Sequence, residues 1–131
     1  MTAFADFLLQ ALVNAARVDG EAADGEIDAI VTAMSAARGA PVSAEEVRAA
    51  IAGATLTRED LVAYLTKHGR RFTKEERTKL LRDLLSVIAA DGRFETAERD
   101  ALMAYIEAVG FAGAQANDVF DTIMQPFRNA V

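Results

Sequence analysis

The chain has no cysteine and no tryptophan, one histidine and two prolines in 131 residues. Without cysteine, neither a disulfide framework nor a thiolate metal site can form. With His68 alone, no imidazole cluster is available for zinc, and no nucleophile–base arrangement is visible. No Gly-x-Ser-x-Gly elbow and no phosphate-binding glycine loop occurs. Long apolar runs are missing too, and none approaches the roughly 20 residues of a membrane span. The apolar start, Met1 to Ala16, lacks a basic leader and is interrupted at helical spacing by Asp6, Gln10 and Asn14. It reads as a helix of the mature chain rather than a signal peptide. No segment alternates with period two, so strands are not expected.

Hydrophobic residues make up 52% of the chain, enough for one domain with a sizeable core. The net charge is −6, unevenly spread. Residues 1–50 and 91–131 are acidic, while the stretch of about 51–90 carries eight bases against five acids. That balance argues against general nucleic-acid binding. Within the basic insert, Lys67, Arg70, Arg71 and Lys74 surround Gly69. This run reads as a solvated loop, with an anionic partner or a headgroup surface as the other reading. His68 beside it suits the negative end of a helix. Phe72 reads as a hydrophobic staple or a core plug.

Turn and cap signals divide residues 1–131 into about seven helices of a single all-α domain. Helix 1 spans about Thr2 to Val18, with Phe4, Phe7, Leu8, Ala11, Leu12 and Ala15 at i, i+3, i+4 spacing. Asp19-Gly20 ends it, with Gly20 as a left-handed stop. Helix 2 starts near Asp24 and stops at Gly39. Ser43-x-x-Glu46, Thr57-x-x-Asp60 and Thr73-x-x-Glu76 open helices 3, 4 and 5. Helix 4 closes at His68-Gly69 and helix 5 at Asp91-Gly92. Thr96 caps helix 6, which runs to Gly110. Helix 7 spans about Ala112 to Arg128, where Pro126 should kink or end it.

One acidic string occurs twice. Asp19-Gly20 with Glu26 returns as Asp91-Gly92 with Glu98, 72 residues later. At the same offset Leu8 and Leu12 meet Leu80 and Leu84, Ile30 meets Leu102, and Met34 meets Ile106. The chain therefore carries two related helical hairpins, about 3–39 and 75–111, which suggests a pseudo-two-fold bundle. An Asp at the C-terminal end of a helix faces the negative pole of the dipole, at a cost of roughly 0.3–1 kcal/mol. Two readings offset that cost. In the local one, each Asp forms an Asx turn that starts the next helix, and Glu26 and Glu98 are first-turn acids. In the other, Asp19, Glu26, Asp91 and Glu98 converge on one cation. Four carboxylates form a hard oxygen site, suited to Ca²⁺, Mg²⁺ or Mn²⁺. Glu21, Asp24 and Asp28 add charge near the first corner; the second copy keeps only the last, as Asp100, and has Arg93 and Thr96 in place of the first two. An EF-hand is excluded. Counting from Asp19, loop positions 6 and 12 are Asp24 and Ile30; from Asp91 they are Thr96 and Leu102.

Val18-Asp19-Gly20 with Glu26, and Ala89-Ala90-Asp91-Gly92-Arg93-Phe94 with Glu98, resemble the signature of TerB-like domains of the tellurite-resistance group. The second copy matches better, because the pattern has an apolar residue three after the Asp, where Phe94 stands against Ala22. The resemblance covers nearly the whole chain. It implies an all-helical pseudo-symmetric bundle and a bacterial cytoplasmic protein of stress or metal-related responses. It also implies a divalent cation at the acidic corners; no organic cofactor and no catalysis are expected, because the residues show no nucleophile–base arrangement. Action through protein partners is the expected mode, without a membrane span. The competing expectation is a metal-independent interaction module that uses its acidic and basic surfaces.

Overall fold

Short hydroxyl side chains start the helices where the sequence places them. In the computed structural model, which describes residues 2–18, 22–90 and 92–129 with side chains as far as Pro126, Thr2 Oγ1 accepts from the Ala5 N–H and opens α1, Ala3–Val18. Ser43 accepts from the Glu46 N–H at 3.1 Å ahead of α3, Ala44–Ala52. Thr57 accepts from the Asp60 N–H at 3.1 Å ahead of α4, Arg58–Gly69. Thr73 and Glu76 form a reciprocal capping box before α5, Lys74–Ile88. The remaining helices are α2, Asp24–Arg38, α6, Thr96–Ala108, and α7, Ala114–Asn129. Among the described residues there are seven helices and no strand.

The packing extends the internal correspondence beyond the two hairpins. α1 packs on α2 and α3, and α2 packs on α3. α5 packs in the same way on α6 and α7, and α6 on α7. The 72-residue offset relates Ala44, Val47 and Ile51 of α3 to Ala116, Val119 and Ile123 of α7. Each unit is thus three helices, and the units meet along α1 and α5. Burial follows the same register. Leu8, Leu12 and Ile30 are fully buried, as are Leu80, Leu84 and Leu102. α4 has no counterpart and packs on both α1 and α6. α2 lies directly on α5, so the two sides of the bundle are not equivalent.

Several expectations change. α1 buries more than the apolar positions at helical spacing, because Ala5, Val13, Asn14 and Ala16 are buried as well. Four other helices surround it. α4 does close at His68-Gly69, with Gly69 as its last residue. A Cβ there would stand 2.8 Å from Val109 Cγ1 and 3.3 Å from Phe7 Cζ, so its bareness lets α4 meet α6 closely. Thr96 is the first residue of α6 and Glu95 is its cap. Pro126 does not end α7, which continues to Asn129. So late in a helix, the lost N–H removes one bond and leaves little helix to break. Gly20 lies outside the described residues. The other glycine stops hold, with φ of 70° at Gly39, 81° at Gly92 and 104° at Gly110.

The basic insert is partly structural. Arg77 Nη1 donates to the Val109 carbonyl at 2.9 Å, and Arg70 Nε to the Ala108 carbonyl at 3.3 Å. The two guanidinium groups thus close the C-terminal end of α6, where orphan carbonyls and the dipole favour cations. The Arg77 guanidinium also lies 4.6 Å from the Phe111 ring centroid. Phe72 is a plug. Its ring stacks on Phe7 at 4.9 Å, meets Phe4 edge-on at 5.4 Å, and carries Arg71 at 5.0 Å. Lys67, Arg71 and Lys74 remain exposed. No described helix is long and apolar enough to cross a membrane.

Candidate functional site

The two repeat-related glutamates occupy the same local position. α2 begins after Ala23, whose methyl group cannot cap, and Glu26 reaches back to accept the Ala23 N–H at 3.1 Å. α6 begins after Glu95, and Glu98 accepts the Glu95 N–H at 3.0 Å. Both carboxylates sit in the first helical turn, where the positive dipole end stabilises an anion. Both are half-buried.

Helix packing then brings the two starts together. Gly25, in the first turn of α2, would place a Cβ 3.3 Å from the Ala90 carbonyl oxygen. A side chain there would force the contact to give by a few tenths of an ångström. At this approach lies a cavity of about 420 Å³. Ala23, Gly25 and Glu26 line it from one side, and Ala90, Arg93, Glu95 and Glu98 from the other. Val87 and Ile88 of α5 form its apolar part. Three carboxylates thus share the cavity with one guanidinium.

The structure accordingly brings Glu26 and Glu98 into one cavity. Asp19 and Asp91 lie outside the described residues. Ala90, which precedes Asp91, lines the cavity. Among the described residues no three Asp, Glu or His side chains are close enough to hold a metal ion. Glu95, Arg93 and Gly25 are cavity residues that the repeat alone did not single out. Their partners at the 72-residue offset are Ala23, Glu21 and Ala97, so no matched chemistry marked them.

A family model described as tellurite resistance protein TerB matches residues 5–121. The chain belongs to the TerB family. Neither a curated protein nor a solved structure matches it. In this TerB domain the match runs from α1 through α6 into the first half of α7, and it includes all four corner acids.

A second groove of this TerB domain runs between α2 and α5, past Asp28, Thr32, Lys79, Asp83 and Ser86. Lys79 Nζ donates to Asp83 Oδ2 at 2.7 Å, and the Asp83 side chain is 17% exposed. Burial pushes the Asp83 carboxyl up, and the hydrogen bond and charge of Lys79 only partly oppose this. A raised folded pKa means that the stabilising contribution is present below the unfolded value of about 3.9 and is lost as pH rises through the folded value. Asp83→Asn is therefore expected to gain stability relative to wild type as pH goes from 3.5 to 7. Urea denaturation at both pH values checks this, and an unchanged difference between them would refute it.

Proposed function

We propose that this TerB domain is a non-enzymatic stress-response module that takes a divalent cation at its acidic helix corners and acts through protein partners. One observation carries the cation reading: Glu26 and Glu98, related by the repeat, line a single cavity at the meeting of two helix starts. Asp19 and Asp91 complete a four-carboxylate donor set in this reading. Such donors fit Ca²⁺, Mg²⁺ or Mn²⁺ and disfavour softer metals. The cation would screen the repulsion between carboxylates that the fold gathers. The second reading, a metal-independent interaction module, draws support from the capping bonds. Glu26 and Glu98 each already stabilise a helix start, a role that needs no metal.

Calorimetric titration of chelator-treated protein with Ca²⁺, Mg²⁺ and Mn²⁺ separates the two. The cation reading expects saturable heat and a raised melting temperature, worth about 2.7 kcal/mol at a hundredfold excess over Kd. Asp91→Asn should raise the metal-free melting temperature and shrink the metal-induced shift. Silent titrations up to millimolar cation would leave the interaction module standing.

A further inference from the structure

The shared 72-residue register lets the two three-helix units be compared position by position, and they differ sharply at one place. In the first unit, an open groove of about 690 Å³ lies among the end of α1, the approach to α2 and the side of α3. That size falls within the roughly 300–1,000 Å³ of ligand pockets. Ala22, Ile27, Ile51 and Ala52 supply its apolar surface, and Arg17 and Arg48 against the single acid Asp24 leave its charged rim net positive. In the second unit, the positions of Ala22, Arg48 and Ala52 carry Phe94, Phe120 and Met124. Phe120 and Met124 are buried, and Phe94 packs against the core. The Arg99 guanidinium lies 5.4 Å from the Phe120 ring centroid. The same arrangement of helices thus exists in a filled and an open version within one molecule.

The filled version shows what chemistry the arrangement accommodates, namely aromatic and large flexible apolar side chains under a guanidinium. The open version adds a cation of its own, because Arg17 stands where the second unit has buried Ala89. Arg48 Nη2 lies 3.6 Å from Asp24, but the two side chains are 55% and 93% exposed. Such an exposed pair holds an arginine weakly and does not remove it from a ligand's reach.

We propose that the groove between α1, α2 and α3 is a docking site for a protein partner, which inserts an aromatic side chain carried on an acidic segment. The aromatic ring takes the space that Phe94 and Phe120 fill in the second unit. The flanking carboxylates pair with Arg17 and Arg48, whose planar donors suit carboxylates. This rests on the partner reading above and is independent of the cation.

The test is an NMR titration of isotope-labelled protein with a capped Asp-Glu-Phe-Glu-Asp peptide, beside the same peptide with Ala in place of Phe. The expected result is saturable shifts at Ile27, Ile51 and Ala52, with the Ala peptide at least about tenfold weaker. Arg48→Glu should weaken binding at least about tenfold as well. Ala22→Phe copies the second unit, so it should abolish binding and raise the melting temperature. If Ala22→Phe does not fold, Ala52→Met serves in its place. Equal binding of the two peptides, shifts on another face, or an Ala22→Phe protein that binds like wild type would overturn the proposal. So would concentration-dependent shifts at these residues without peptide, which would put a second copy in the groove. A partner captured equally by wild type and Ala22→Phe would keep the partner reading and remove the groove from it.

Discussion

Leu84→Ala is expected to lower stability by about 2–5 kcal/mol, the range for truncating a fully buried leucine that leaves a cavity. Leu84 has no exposed surface and lies on α5, which packs on α1, α2, α6 and α7. So many packed elements cannot all close over the lost volume. The repeat supplies an internal control. Leu12 is the corresponding residue on α1, is equally buried, and should lose a similar amount as Leu12→Ala. For a chain of this size each kcal/mol lowers the melting temperature by roughly 3–6 °C. Urea denaturation with an unchanged slope measures both losses. A loss below about 1 kcal/mol at either position would mean that the α1–α5 seam is not the centre of the core.

The second large effect is expected at Asn14, which is 1% exposed. Its Nδ2 donates to the Gln10 carbonyl at 2.8 Å, and its Oδ1 accepts from the Leu56 N–H at 3.0 Å. The second bond crosses 42 residues and ties the approach to α4 onto α1. Asn14→Ala leaves the Leu56 N–H without this partner, at a cost of about 1–3 kcal/mol. Amide exchange at Leu56 should speed up together with the loss of stability. Ser86 holds the corresponding place on α5, is exposed, and bonds only within its own helix to the Arg82 carbonyl. Ser86→Ala should therefore stay within about 0.5 kcal/mol of wild type. If both substitutions cost the same, the clamp assigned to Asn14 is wrong.

Asn14 also marks where sequence reading stops. Together with Asp6 and Gln10 it forms a plausible polar face, and Asp6 and Gln10 are indeed exposed. Nothing local distinguishes the third member, because its burial depends on a loop 42 residues away. The caps at Thr57 and Thr73 were legible because their physics is confined to four residues. The hairpin repeat was legible from identical acids, whereas the third helix of each unit shares only apolar positions, such as Val47 with Val119. The meeting of Glu26 and Glu98 was foreseeable only as a hypothesis of symmetry. Its means, the close approach of Gly25 to Ala90, is a tertiary contact with no local signal. Asp19 and Asp91 lie outside the described residues.

The position of α1 has a consequence for synthesis. A chain emerging from the ribosome N-terminus first presents α1 long before α5 exists to cover it. The offset of 72 residues sets the delay, and closing so long a loop carries an entropic cost that local helix formation does not repay. α2 and α3 can fold back onto α1 early, but the face of Leu8 and Leu12 destined for the second unit stays exposed to water or to other nascent chains. A truncated product ending after α3 should therefore be sticky rather than half-folded.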